Sequence, residues 1–210
     1  MTNRLDRRKQ RTRAALVRAA QQHLASGDMG VSIKELTDAA DVGFGSFYNH
    51  FNSKEELMAA AVEAALDDWA SLADAAASDV DDPAEYIATG FRMTGRLQRA
   101  NPELVRVLLR SGTSILSRDR GLRSRAIEGL RAGVEAGRFT RLDPDITVMV
   151  LGGALLGLLQ LLEDRPDDNG NAFSDTAAER VLVMLGINQS EAEKLAHTAL
   201  PALPDLLPEI

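Results

Sequence analysis

The sequence has no cysteine, and only three of its 210 residues are histidines. Without thiolates, the chain can form neither disulfide bonds nor cysteine-ligated metal sites. None of the histidines, at positions 23, 50 and 197, stands in a zinc motif such as H-E-x-x-H. No apolar segment of the kind found in signal peptides follows the charged N-terminus. We therefore expect a cytoplasmic protein without a metal or a cofactor.

The motifs of nucleotide binding and hydrolysis are also missing. The stretch Gly43-Phe44-Gly45 begins like a phosphate-binding loop, but Tyr48 occupies the third glycine position of G-x-G-x-x-G, and no strand is predicted before it. The Gly-Lys-Ser/Thr ending of a P-loop and the G-x-S-x-G turn of serine hydrolases do not occur. With no catalytic constellation, we expect no enzyme.

Long apolar runs are scarce, and a single one raises the question of a membrane. Ile146 to Leu162 contains 17 residues without a charge, which is the short limit for a spanning helix. Three glycines interrupt the run, and the acidic residues Asp145 and Glu163 flank it. A helix buried in a protein interface is the better interpretation, and we expect no membrane association.

The charge is unevenly distributed. The net charge is −7, yet the first 18 residues contain seven Lys/Arg and one Asp. Residues 61–210 carry a net charge of −9. A basic N-terminal arm on an acidic body indicates that one end of the molecule meets a polyanion. The alternative is that the arm is a solvated tail.

Helix-start signals predict an all-α protein. Ser32-x-x-Glu35 and Ser53-x-x-Glu56 have the pattern of capping boxes, and Asp-Pro pairs at 82–83 and 143–144 place a cap residue before a proline. No segment alternates apolar and polar residues as a half-buried strand does. The predicted helices are 5–26, 32–39, 44–50, 53–78, 83–99, 102–111, 119–137, 144–164, 174–186 and 189–198, and the proline-containing tail is predicted to be extended.

Two short predicted helices form a helix-turn-helix. Asp41 and Gly43 suit a turn with left-handed backbone, and Phe47 and Phe51, four residues apart, would anchor the second helix in the core. A recognition helix presents its leading side chains to base edges, and the residues predicted to do so are Phe44, Ser46 and Asn49. Gly45 is predicted to let the backbone approach the DNA closely, and Gly43 belongs to the same DNA-binding surface at the turn. The predicted phosphate contacts are Lys34, Tyr48, His50 and Lys54. The cations of the arm are predicted to add phosphate or minor-groove contacts: Arg4, Arg7, Arg8, Lys9, Arg11 and Arg13.

Less specific roles remain open for several of these residues. Tyr48 could be a core aromatic, His50 could cap the end of its helix, and Lys54 could be an ordinary surface lysine. The helix itself contains no Lys or Arg. Its affinity for DNA would therefore depend on flanking groups.

The segment VSIKELTDAADVGFGSFYNHFNSKEELMAA resembles the DNA-binding segment of tetracycline-repressor-like (TetR) transcription regulators. The resemblance is carried by Ala40-Asp41-Val42, by Tyr48-Asn49-His50-Phe51 and by Ser53-Lys54-Glu55-Glu56-Leu57, with Asp41 where the family usually has glycine. It implies an N-terminal three-helix DNA-binding domain at 1–52 and a larger helical domain at 53–210 that binds an effector and dimerises. The implied function is a homodimeric repressor that a small molecule releases from a pseudo-palindromic DNA operator.

The second domain carries candidate residues for both expected partners. The predicted dimer interface, whose alternative is burial within one subunit, comprises Gly152, Gly153, Leu156, Gly157, Gln160, Val181, Met184 and Leu185. The predicted effector pocket, whose alternative is ordinary core packing, comprises Trp69, Phe91, Met93, Leu97, Leu104, Leu108, Ile115, Leu130 and Met149. A regulator without a small-molecule ligand, controlled by a protein partner or acting architecturally, is the alternative function.

Overall fold

The fold was obtained as a computed structural model, which describes residues 4–28, 30–117, 122–141 and 143–200. Within these ranges the secondary structure is helical, which confirms the predicted all-α class. The α-helices are α1 Arg4–Ser26, α2 Ile33–Ala39, α3 Phe44–Phe47, α4 Lys54–Ala76, α5 Pro83–Ala100, α6 Pro102–Ser111, α7 Leu122–Glu135, α8 Pro144–Asp164, α9 Gly170–Met184 and α10 Gln189–His197.

The differences from the predicted helices lie at polar segments. Gly112–Ser117, expected as a loop, forms a 3₁₀ helix, and α3 ends at Phe47 rather than at residue 50. Helix α9 begins earlier than expected, because the side chain of Asn169 accepts a hydrogen bond from the backbone N–H of Ala172. The proline-containing tail that was predicted to be extended falls at residues 201–210, outside the described ranges.

The described chain packs as two units. One contains the residues up to Leu66 together with Glu103–Arg110, which is nearly all of α6. The other contains Asp67–Pro102 and the residues from Ser111 onward. The packing units therefore divide within α4, after Leu66, whereas the domain boundary predicted between residues 52 and 53 stays a prediction.

The first unit is held by an apolar stripe of α1 and by specific caps. Its fully buried side chains include Leu16, Leu36, Phe47, Phe51 and Leu57. The Ser32 capping box forms as expected, with Glu35 accepting from the backbone N–H of Ser32 at 2.8 Å. The buried Gln21 side chain donates to the carbonyl of Ala61 at 3.2 Å, which ties α1 to α4.

Helix α5 is the central element of the second unit. It packs against α9 so closely that a Cβ added at Gly95 would lie 2.7 Å from the carbonyl oxygen of Gly170. The buried Arg92 donates from Nε to Asp175 at 2.8 Å, which adds an ion pair to the same helix pair. A tight helix-to-helix contact with a partly buried ion pair leaves little freedom for α5 to slide along α9.

Candidate DNA-recognition surface

The turn between α2 and α3 is formed by an aspartate in a left-handed conformation. Asp41 has φ 52°, the conformation that the sequence predicted it to tolerate. Gly43 does not need this region, since its φ is −65° and ψ 139°, and it serves as the N-cap residue of α3. The turn therefore depends on the conformation of Asp41, and glycine at position 43 has a different role.

The aromatic residues in α3 and directly after it differ in burial. Phe47 and Phe51 are enclosed in the core, as predicted, whereas Phe44 and Tyr48 are 52% and 54% exposed. The Phe44 and Tyr48 rings meet edge to face at 5.9 Å, and Tyr48 also contacts Phe47 at 5.2 Å. Half of each outer aromatic is thus available to a partner, and Tyr48 is not a core residue.

The remaining residues of the predicted DNA-binding surface on α3 are also accessible. Gly43, Gly45 and Asn49 are exposed and Ser46 is half-buried. A Cβ added at Gly45 would have no described atom within 4 Å. Packing within the chain therefore does not require glycine at position 45. The surface presents hydroxyl, amide and aromatic groups, which can hydrogen-bond base edges or contact a thymine methyl.

The predicted flanking cations already have partners within the first unit. Lys34 forms an exposed ion pair with Asp38, one turn along α2. The Lys54 ammonium donates to the carbonyl of Val31 at 3.1 Å, which ties the start of α4 to the segment before α2. Arg8 and Arg11, by contrast, are exposed on α1. The basic arm is thus part of a helix, and positive charge reaches the surface mainly from α1.

Two cations of the predicted basic arm, Lys9 and Arg13 on α1, lie near the end of the recognition helix. The Arg13 guanidinium carbon is 5.1 Å from the centre of the Phe51 ring, a cation–π contact. Lys9 lies one helical turn before Arg13. Burial lowers the pKa of His50, and the positive charges of Lys9 and Arg13 lower it further. Their i,i+4 spacing places both on the helix face that buries Leu16 and Ala20.

The predicted pocket residues are divided between the packing units. Leu104 and Leu108 are buried on α6 and belong to the first unit. Phe91 and Leu130 share one core cluster of the second unit, and Met149 is 40% exposed on α8. The other four residues are buried or half-buried in the second unit: Trp69, Met93, Leu97 and Ile115. The nine residues therefore do not form one cluster within a single unit.

The predicted dimer residues fall into an inner and an outer group. Val181 and Leu185 pack in the core of their own unit, and a Cβ at Gly152 would clash with the Leu116 side chain. These three residues pack against other residues of the same subunit. Leu156 is half-buried, while the outer members are exposed: Gly153, Gly157, Gln160 and Met184.

The outer face of α8 and α9 is apolar beyond these predicted residues. Ile146, Val150 and Val183 are exposed, along with Met149. Added Cβ atoms at Gly153 and Gly157 would have no described atom within 4 Å. Helix α8 is the one helix of the described residues long and apolar enough to cross a membrane by length and composition, and one such helix is weak evidence for a membrane protein.

Family models match both parts of the chain. Residues 16–61 match the bacterial regulatory proteins of the tetR family, and residues 82–198, more than half of the chain, match the tetracyclin repressor-like C-terminal domain. The chain belongs to the TetR family. It is a DNA-binding transcription regulator and not an enzyme, which confirms the resemblance drawn from α2 to α4. No protein of curated function matches the sequence.

Solved structures of TetR-type regulators share the fold. RolR in complex with resorcinol is 28% identical, with a TM-score of 0.66, and the match covers 94% of this chain and 98% of RolR. RolR without ligand is 29% identical, with a TM-score of 0.70, over 90% of this chain and 99% of RolR.

More distant structures show the fold alone. A putative TetR family transcription regulator from Shewanella sp. PV-4 is 19% identical, with a TM-score of 0.73, over 84% of this chain and 99% of that one. SmeT, the repressor of the Stenotrophomonas maltophilia multidrug efflux pump SmeDEF, is 20% identical, with a TM-score of 0.65, over 82% and 89%.

Proposed function

We propose that this regulator is a cytoplasmic homodimeric repressor that binds a pseudo-palindromic operator and leaves it when a small molecule binds. The observation that carries the proposal is the outer surface of α3, where Phe44, Tyr48 and Asn49 are exposed, together with the α1 cation Arg13 that contacts Phe51 just after α3. Aromatic and amide groups discriminate bases, and the neighbouring cations supply phosphate affinity.

The exposed apolar face of α8 and α9 supports the homodimer. Exposure of the apolar side chains of Ile146, Val150 and Met184 to water is unfavourable in free energy. The same face of a second copy of the chain would bury them. Gly153 and Gly157 leave room for close approach of a partner helix. Two recognition helices held about 34–36 Å apart would then enter successive major grooves.

The small-molecule effector rests on the similarity to RolR, which was solved with resorcinol. A phenol-sized aromatic is the first compound class to test on this chain. An effector acts by binding more tightly to the conformer that cannot hold DNA, so its effect is limited by that difference in affinity. We propose that the buried side chains of α5, among them Phe91, Met93 and Leu97, contribute to its site.

Selection of bound DNA from a random pool, read by sequencing, tests the proposal. We expect a palindrome with half-sites about one helical turn apart. Asn49→Ala and Ser46→Ala should each relax base preference at one position per half-site, by about 1–3 kcal/mol. Recovery of no enriched sequence would contradict the proposal. Addition of resorcinol and related phenols to the purified complex then tests release.

A further inference from the structure

Four helices of the described chain end with the same pair of backbone hydrogen bonds. A residue just after the helix has a positive φ, its N–H donates to the carbonyl three residues before it, and the next N–H donates to the carbonyl five residues before its own. After α1, α7 and α9 this residue is a glycine, at positions 27, 137 and 186. After α2 it is Asp41, the one residue other than glycine with a positive φ in the described ranges.

Aspartate suits this conformation less well than glycine does. A side chain in the left-handed region brings Cβ close to the backbone carbonyl, and glycine avoids this contact. The Asp41 carboxylate also stands at the C-terminal end of α2, where the carbonyl groups carry partial negative charge. The Asp41 side chain is exposed and makes no hydrogen bond or ion pair with any residue that the structure describes. Since no contact within the described chain offsets these costs, the carboxylate is suited to a partner outside the chain.

The position of Asp41 in the motif indicates which partner it would meet. Asp41 lies in the turn, three residues before Phe44, and the intervening Gly43 is exposed as well. In a helix-turn-helix the first helix crosses the sugar-phosphate backbone, and the leading residues of the second helix contact base edges in the major groove. The turn between them therefore stands at the edge of that groove.

A carboxylate at this edge cannot bind phosphate, because the two charges repel each other. The neighbouring residues do not reverse its charge: residues 32–51 contain one lysine and three acidic residues, and the lysine, Lys34, is paired with Asp38. Asp41 can favour DNA binding only where a hydrogen-bond donor faces it. In the major groove, the donors on the bases are the amino groups of cytosine and adenine.

We propose that Asp41 accepts a hydrogen bond from the N4 amino group of a cytosine in each operator half-site and so selects a cytosine there. Adenine carries the acceptor N7 beside its amino group, which repels a carboxylate, whereas cytosine presents the donor alone. This inference rests on the proposed function, in which α3 reads the adjacent bases. It adds a residue of the turn that is not among the predicted DNA contacts.

Exchange of residues between two of the helix ends tests whether Asp41 is unfavourable for stability. Asp41→Gly should raise the melting temperature by about 2–4 °C, and Gly137→Asp should lower it by a similar amount. Gly137 is the matched position because an added Cβ there has no described atom within 4 Å, whereas at Gly27 and Gly186 it would meet another side chain. A lower melting temperature for Asp41→Gly would show a structural role for the carboxylate and would overturn the inference.

Selection of bound DNA by the wild-type protein and by two variants tests the base contact. We expect the wild-type protein to select a cytosine at one position of each half-site, and Asp41→Gly to show no preference there. Replacing that base pair in a half-site should weaken wild-type binding about 10- to 100-fold and leave the affinity of Asp41→Gly unchanged. Asp41→Asn tolerates the same backbone conformation, and its amide both accepts and donates, so it should accept adenine as well as cytosine.

The outcomes separate this proposal from the proposed function. If the wild-type protein selects another base at this position, or if Asp41→Gly selects the same half-site as the wild-type protein, the cytosine contact is wrong and the regulator assignment stands. If the wild-type protein selects no sequence, the proposed function fails first. Asp79→Asn removes the same charge at an exposed position of the second unit and should leave the selected half-site unchanged.

Discussion

The two packing units both expose apolar side chains, but the exposed groups differ in their chemistry. In the first unit, Phe44 at the start of the four-residue helix α3 and Tyr48 at its C-cap are exposed, and exposed or half-buried hydroxyl and amide groups lie between and after them. In the second, the exposed side chains are aliphatic or thioether groups on the long helices α8 and α9, and Ile146 is 65% exposed.

This difference indicates what each surface meets. A small aromatic and polar surface flanked by positive charge matches bases and phosphates, which need hydrogen bonds and counter-charge. A mainly aliphatic surface has no complement in DNA, and it suits another apolar protein surface, for which we propose a second copy of the chain. Exposure of apolar groups alone therefore does not identify a partner, whereas the polar groups around them do.

The strongest test of this comparison makes the second surface charged. Val150→Asp combined with Met184→Asp should dissociate the dimer, because two carboxylates per subunit would be buried against their copies. Operator affinity should then fall about 10³-fold or more, toward non-specific binding. Sedimentation and operator titration measure both effects. Ala132→Asp, at an exposed position of α7, is the control. A double variant that remains dimeric would refute this interface.

The second test exchanges aromatic residues within the first unit. Phe51→Ala should lower the free energy of unfolding by about 3–5 kcal/mol, because it empties a core position and removes the contact of Arg13. Phe44→Ala should change stability by about 0.5 kcal/mol or less yet weaken discrimination between operators. Chemical denaturation and DNA titration give the two quantities. Equal destabilisation by both changes would contradict the division into core and recognition aromatics.

The third test compares two glycines. Gly95→Ala should cost about 1–3 kcal/mol of stability, because the new methyl group meets the Gly170 carbonyl and Ser174. Gly45→Ala faces open space and should stabilise the protein by up to about 1 kcal/mol, since alanine favours helix. We nevertheless expect Gly45→Ala to weaken operator binding, because the methyl group occupies the side that approaches DNA. Unchanged operator affinity would remove Gly45 from the recognition surface.

The smallest expected effect concerns an ion pair of the second unit. Arg138 donates to both carboxylate oxygens of Asp82, at 2.8 and 2.7 Å, and this lowers the pKa of Asp82 from its ordinary value of 3.8. A lowered folded-state pKa gives stability that is present above about pH 4 and lost as the pH falls through the folded pKa.

Arg138→Met should therefore cost about 1 kcal/mol or less at pH 7, and the difference from wild type should shrink below pH 4. Denaturant unfolding at pH 7 and at a pH below 4 measures this difference in stability. Arg141→Met, at an exposed position, is the matched control. A difference that is the same at both pH values would show that Asp82 does not carry the effect. The DNA-binding surface should not respond to this change.

Local sequence signals predicted most of the fold. The caps at Ser32, Asp82 and Asp143 form as expected, because each needs only atoms within three residues. The burial of Phe47 and Phe51, four residues apart, also agrees with the prediction drawn from their spacing. These features depend on neighbours in the chain, which a sequence displays directly.

The tertiary structure decided which of the α1 cations and which of the α8 glycines contact neighbouring elements. Lys9 and Arg13, rather than Arg8 and Arg11, approach His50, because the rotation of α1 is set by packing of Leu16 and its neighbours against distant helices.

The same reason separates the glycines of α8. Gly152 is packed against Leu116 of the 3₁₀ helix, while the adjacent Gly153 faces outward. Consecutive helical residues point about 100° apart, and only the arrangement of the neighbouring elements determines which direction is inside. The sequence alone therefore determined a helical regulator with a helix-turn-helix. Long-range packing decided which of its cations and glycines remain available to a partner.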